Sequence, residues 1–195
     1  MRAYVGLGSN VGTPAATLAA AVTVLAALPG ARLRGVSRLY ATRPVGVVGQ
    51  PEFRNAVAAI DVPAGPDPAT GASALLVALK QIEQAFGRRA RGRWGPRELD
   101  LDLLVFGRHA IQVERPSAGR RAGSAKTTPP LVVPHPEAQR RLFVLAPLAD
   151  LAPGLVPPGW AESVTSAALR ARRIEGPGAV RAIARWDAEA GRWRS

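Results

Sequence analysis

The 195-residue chain has no cysteine and only two histidines, His109 and His135. Without cysteine there can be no disulfide scaffold, Cys-ligated zinc, iron–sulfur cluster or thiol nucleophile, and no signal of redox compartment. Two histidines cannot build a His-rich metal site. The longest mostly apolar run, Ala15 to Leu28, is interrupted by Thr17 and Thr23 and is too short to span a bilayer. The opening MRAYVGLGSN reaches Gly6, Gly8 and Asn10 before an apolar signal core can build, so the chain reads as soluble and cytoplasmic. GLGSNVG lacks the GxxxxGK[ST] of a P-loop, and no acidic residue follows at the distance a dinucleotide fingerprint requires; its glycines read as permitting close backbone packing. No Ser/His/acid triad stands out.

Hydrophobic residues make up 47% of the chain, too many for disorder and enough for one compact domain. The formal charge of +12 is uneven: residues 1–87 carry 7 basic and 4 acidic side chains, residues 88–195 carry 19 and 10. Five of the basic residues fall within Arg88–Arg97. Such a cluster suits a polyanion, either a nucleic acid or a nucleotide polyphosphate. Arginine bias accounts for part of the global charge, but not for the local density.

Residues 3–9 read as a strand, and Thr13-Pro14 opens a helix with Leu18, Val22, Leu25 and Leu28 on one face. Arg32–Thr42 and Phe53–Val62 read as strands around a Gly/Pro loop. Asp67-Pro68 starts a second helix, striped by Leu75, Leu79, Ile82 and Phe86, and Leu99–Phe106 reads as a further strand. The order gives an α+β class, a ferredoxin-like βαββαβ antiparallel sheet with both helices on one face. Residues 1–160 form the expected domain, with a basic loop insertion at 116–130. Leu142–Leu151 reads as an apolar strand or turn region. Residues 161–195 read as a short helix near Glu162–Arg172 followed by a weakly periodic, basic, partly ordered tail.

Asp100 and Asp102 lie two apart on a strand, so their carboxylates share a face and can hold hard cations between them. Leu104 and Phe106 continue that face, while Leu99, Leu101, Leu103 and Val105 fill the other, so the acids stand at the rim of a buried strand rather than on a solvated one. Magnesium, which keeps waters and takes one or two carboxylates plus substrate phosphates, suits the pair. The preceding glycine-punctuated loop sets guanidinium groups beside it that could grip phosphate bidentately. Trp94 can stack on a flat ring or anchor that loop. Phe53 and Asn55 share a strand face and pair an aromatic plane with a donor/acceptor amide, a combination suited to a planar heterocycle, though a core ring beside an inward amide satisfied by backbone is the commoner arrangement for an isolated pair. His135, between Pro134 and Pro136, has a restricted backbone. Arg141 and Phe143 could place a charge and a ring on one side of a short strand.

Taken in order, GLGSN, GQPEFRNAV, RWGPRELDLDLLVFG, and VPHP followed by Arg141 and FVLAPL resemble the 6-hydroxymethyl-7,8-dihydropterin pyrophosphokinases over residues 3–157. The resemblance implies transfer of the β,γ-diphosphate of ATP to the pterin hydroxymethyl group, releasing AMP, in folate biosynthesis. It implies two Mg²⁺ ions on Asp100 and Asp102, and phosphate contacts from the catalytic Arg88 and Arg97. ATP would be bound by Lys80, Glu83, Arg91, Trp94, Arg97, Val132, His135 and Arg141. The pterin would meet Thr42, Arg43, Val45, Phe53, Asn55, Trp94 and Phe143. The implied partners are these small molecules, with a monomer expected and neither membrane nor nucleic acid.

Three departures bear on activity. Ala90 stands where the family usually has a second arginine, and Val132 where it often has a hydroxyl. The insertion at 116–130 puts the reach of Arg115 in question. An inactive family member that binds nucleotide or pterin is the alternative these substitutions motivate. A basic ferredoxin-like RNA-binding module is a second alternative, opposed by the missing RNP-like aromatic run and by the paired aspartates.

Overall fold

The computed structural model describes residues 1–43, 51–88, 96–115 and 129–195. The strands are β1 (Arg2–Ser9), β2 (Arg32–Val36), β3 (Leu39–Thr42), β4 (Phe53–Asp61), β5 (Asp100–Phe106), β6 (Ile111–Val113), β7 (Leu131–Val133), β8 (Val180–Asp187) and β9 (Arg192–Arg194). The helices are α1 (Pro14–Ala26), α2 (Pro68–Ala85), α3 (Leu142–Leu151) and α4 (Val164–Glu175). The main sheet runs β5-β1-β4-β3-β8-β9, with β2 also on β4, and every pair is antiparallel. Its first four strands reproduce the ferredoxin-like order, and α1 and α2 cover one face as the sequence predicts. Leu18, Val22 and Leu25 of α1 and Leu75, Leu79 and Ile82 of α2 join the buried cluster of that face, against Val5, Leu7, Ile60 and Leu101. Asp67 caps α2 by accepting the Thr70 amide at 2.9 Å.

Four readings are corrected. The strand expected over Arg32–Thr42 is two: its chain breaks at Ser37, whose amide and hydroxyl engage the Val57 carbonyl and amide at 2.9 Å each. On β5 the alternation fails beyond Leu103. A bulge sets Leu104 between the pairs Val5↔Leu103 and Tyr4↔Val105, so Val105 joins Leu104 on the α3 face and Phe106 returns to the α1/α2 face. Leu142–Leu151 is a helix, not a strand, so Arg141 and Phe143 flank a helix start rather than sharing a strand face. Pro147 masks that helix in the sequence, but its ring is buried with Leu145 and Leu148 against the sheet. The basic tail is the hairpin β8–β9. Its arginines hide a strand period, and it is anchored by Trp186 packed edge-on to Trp193 (centroids 4.7 Å apart) and by Trp193 Nε1 donating to the Ser37 carbonyl at 2.9 Å.

α3 and α4 cover the opposite face over Val57, Leu104 and Val105, so the surface an RNA-binding module would present is occupied. Among the described residues no helix is long and apolar enough to cross a membrane.

Candidate active site

The site grows from a gap in the side-chain pattern of β1. Gly8 pairs with Asn55 on one side and Asp100 on the other, and Gly6 in the same way separates Val57 from Asp102. On the α3 face two glycines thus leave a bare trough between an amide and two carboxylates. A Cβ on Gly8 would stand 3.1 Å from Asn55 Oδ1. The sequence reading gives these glycines close backbone packing, whereas a Cβ at either would meet side-chain atoms of Leu104, Asn55 or Asp100, and the purpose of the bare positions shows only once the three strands lie in register.

Over the trough lies a cavity of about 140 Å³ lined by Gly8, Thr42, Arg43, Phe53, Asn55, Arg97, Asp100, Asp102, Arg141 and Phe143. A smaller one of about 40 Å³ continues beneath it between Gly6, Val57, Leu104 and Val144. Asn55 is buried and donates through Nδ2 to Thr42 Oγ1 at 2.8 Å, which fixes the amide and turns Oδ1 toward Gly8. Phe53 comes from the start of β4 and Phe143 from the first turn of α3, so two rings from different elements meet one cavity. Arg141 lies over the Phe143 ring at 5.8 Å. α3 is held over β3 by Tyr40, whose hydroxyl donates to Asp150 at 3.0 Å, and by Arg38, which grips the same carboxylate at 2.6 Å.

Asp100 is the electrostatic centre. Its carboxylate pairs with Arg88 at 2.7 Å and also with Arg97. Burial would push this carboxyl up, but the charges of Arg88 and Arg97 outweigh it and hold it below the usual carboxylate range. Burial likewise opposes charge on Arg88, and Asp100 and Glu83 more than compensate.

Lys80 and Glu83 do not line the cavity. β5 is an edge strand, and these two side chains act as its missing neighbour: Lys80 Nζ donates to the Leu101 carbonyl at 2.8 Å, and Glu83 Oε1 accepts the Leu101 amide at 2.7 Å. Glu83 also pairs with Lys80 and Arg88, and burial pushes its carboxyl up against both cations. The clamp thereby fixes the residue between the two aspartates and one end of Arg88 at once.

His135 adjoins the site behind Asp102. Its amide donates to the Leu104 carbonyl at 2.9 Å and its Nδ1 accepts the Glu137 amide at 3.3 Å, so the neutral ring carries its proton on Nε2. Burial pushes the imidazole down, Asp102 opposes this, and the charges of Arg141 and Arg115 add to it. Val132 pairs with Gln112 in the separate β6–β7 ribbon and does not line the cavity. Val45, Ala90, Arg91 and Trp94 lie outside the described residues.

Among the described residues, no group of three or more acidic or histidine side chains is arranged to hold a metal. Two carboxylates side by side on the cavity floor fit a cation that leaves most of its shell to water and phosphate oxygens, which is the habit of Mg²⁺.

Sequence reasoning gave no site role to Asn10, Gly6, Gly8, Tyr40, Asp150 and Glu175. The glycines carried a signal, being two apart on a strand and so on one face. The others act through contacts between distant segments.

Residues 4–153 match the family of 7,8-dihydro-6-hydroxymethylpterin-pyrophosphokinases. The chain belongs to this family. It is 44% identical over 154 residues to the 2-amino-4-hydroxy-6-hydroxymethyldihydropteridine pyrophosphokinase of Pseudomonas aeruginosa, covering 79% of this chain and 82% of the relative. The Methylorubrum extorquens protein of the same name is 43% identical, over 80% of this chain and 85% of its own length. Among solved structures, Plasmodium falciparum HPPK-DHPS with pteroate superposes with a TM-score of 0.68 at 15% identity, over 99% of this chain. The chain spans about half of that protein, 47% of its length, so this likeness speaks for the fold alone.

Proposed function

We propose that this pyrophosphokinase moves the β,γ-diphosphate of ATP onto the hydroxymethyl group of 6-hydroxymethyl-7,8-dihydropterin, giving AMP and the pterin diphosphate of folate biosynthesis. The observation that carries the reading is the single cavity uniting an aromatic pair and a fixed amide with an arginine-flanked pair of aspartates. Phe53 and Phe143 would hold the flat pterin between them, and Asn55 Oδ1 would accept from its donor edge. The backbone of Thr42 and Arg43, with Val45 beyond, would read the rest of that edge.

The reaction forms a bond between the hydroxymethyl oxygen and the β-phosphorus and breaks the bond from that phosphorus to the α-bridging oxygen, which leaves on AMP while the alcohol loses its proton. Such a displacement asks for alignment and charge neutralisation more than for a covalent nucleophile. Asp100 and Asp102 would hold two Mg²⁺ ions. When bound, these supply charge for the polyphosphate and for the alcohol oxygen. Arg88 and Arg97, now on Asp100, would exchange that carboxylate for phosphate oxygens, freeing Asp100 as the nucleotide arrives. Arg141, His135 and Arg91 would bind the nucleotide from the other side, and Trp94 would close the pocket. Lys80 and Glu83 would serve by fixing β5, and Val132 by shaping the ribbon beside it. The protein would act as a monomer in the cytoplasm, which gel filtration and cell fractionation test.

The deciding experiment is AMP formation from ATP with and without the pterin, in Mg²⁺ and then in EDTA, with the pterin product weighed by mass spectrometry. Pterin- and Mg²⁺-dependent AMP with a diphosphorylated pterin is expected. ATP and pterin binding without AMP would instead favour a binding protein.

A further inference from the structure

The C-terminal segment beyond residue 153, where the family match ends, touches the cavity wall at three places. At the first, Glu175 Oε1, at the end of α4, accepts the Leu142 amide at 2.8 Å. At the second, Val180 of β8 pairs with Thr42. At the third, Arg181 bonds Glu52 at 2.9 Å, one residue before Phe53. Each tie stands on or beside a residue that lines the cavity: Phe143, Thr42 and Phe53.

The Glu175 tie differs from the other two in chemical kind. α3 begins at Leu142 with Arg141 in the capping position, no side-chain cap of its own and no acidic residue in its first turn. Its first amide would lack a partner within the helix, and the partner comes from 33 residues further along the chain. A carboxylate at that end also meets the positive pole of the helix. Glu175 further lines a second cavity, about 480 Å³, that shares Thr42, Arg43 and Phe143 with the first, so its carboxylate stands on the same wall as the Phe143 ring.

We infer that Glu175 is a positioning residue for the pterin: by capping α3 from outside, it sets where Phe143 stands against the ring opposite. The inference rests on the proposed pterin reading. Its test compares wild type with Glu175→Ala, which removes the acceptor, and with Glu175→Gln, which keeps an oxygen able to take the Leu142 amide. KM for 6-hydroxymethyl-7,8-dihydropterin, KM for ATP and kcat are measured, together with hydrogen exchange at the Leu142 and Phe143 amides.

For Glu175→Ala, faster exchange and a pterin KM roughly 10-fold higher are expected, with kcat and the ATP KM within about threefold of wild type. Glu175→Gln should recover most of the pterin KM. A merely structural role would lower the active fraction, and so apparent kcat, without raising the pterin KM. An unchanged pterin KM in Glu175→Ala, or a Gln variant as impaired as the Ala one, overturns the inference. Should the Ala variant not fold, Glu175→Asp, which keeps the charge but shortens the reach, gives the same comparison. Wild type that binds no pterin would defeat the functional reading and this positioning role with it, while unaltered exchange in the variants would defeat the cap alone.

Discussion

Asn10 Oδ1 accepts the Arg97 amide at 2.8 Å while the Asn10 amide donates to the Arg97 carbonyl at 3.1 Å. The same side chain donates through Nδ2 to the Pro51 carbonyl at 3.4 Å. One buried residue at the end of β1 therefore ties down the chain that follows 44–50 and the chain that follows 89–95. Arg97 gains its direction toward Asp100 from that anchor.

Asn10→Ala should consequently act through alignment. It leaves the part-buried Arg97 amide without its acceptor, a loss of about 1 kcal/mol. A drop in kcat of roughly 10- to 100-fold is expected, since small displacements of positioned groups are costly to rate. Steady-state kinetics on a variant shown by circular dichroism to be folded checks this, and a kcat within twofold of wild type would sink the alignment role.

Gly8 and Gly6 should part company. Alanine at Gly8 puts a methyl group 3.1 Å from Asn55 Oδ1, the atom proposed to accept from the pterin, whereas alanine at Gly6 meets the flexible Leu104 side chain at 3.4 Å. Gly8→Ala is expected to weaken pterin binding about 10-fold, roughly 1.4 kcal/mol, and to leave ATP binding nearly unchanged. Gly6→Ala should stay within about threefold for both. Calorimetric titration with each ligand separates the two, and equal pterin affinities for both variants would refute the trough.

The ferredoxin-like core was legible because its helices carry clean 3.6-residue stripes and its strands sit between Gly/Pro punctuation. Asp100 and Asp102 were legible because a period of two places them on one face with no knowledge of the neighbouring strands. Val105 and Phe106 were misplaced because a bulge depends on the partner strand, and a periodic reading cannot sense it. α3 was hidden by Pro147, which the sheet tolerates as a buried apolar surface. β8 was hidden because its arginines look like a solvated tail until the free edge of β3 and the Trp186–Trp193 contact are in place. Asn10, Tyr40, Asp150 and Glu175 work across 87, 110, 110 and 33 positions of sequence, beyond any local pattern.

Asp102→Asn should leave the fold intact and remove the reaction's tolerance of low Mg²⁺. The side chain keeps its shape and the Arg88–Asp100 pair is untouched, but half of the carboxylate charge on the cavity floor is gone. Loss of at least about 100-fold in kcat at millimolar Mg²⁺ is expected, in line with the several kcal/mol that metal charge contributes to such transfers. A Mg²⁺ titration of AMP formation should also shift to higher concentration. Full rate at ordinary Mg²⁺ would remove Asp102 from the metal-holding role.

The burial of His135 sets the sign of a pH dependence expected of the fold. Burial depresses its imidazole below the ordinary 6.5, so between that value and the lower folded one the unfolded chain binds more protons than the folded protein. Stability is then fully present above about pH 6.5 and is lost as the pH falls through the window. Asp100, Asp61 and Asp187, all held below the usual 3.8, lose their contributions only at more acidic pH, and Glu83, pushed above 4.5, works in the opposite sense on acidification. Tm measured from pH 7.5 to 5.5 should therefore fall for wild type, and His135→Gln, which has no proton to gain, should fall less. Parallel curves for the two proteins would show that the imidazole is not the group responsible.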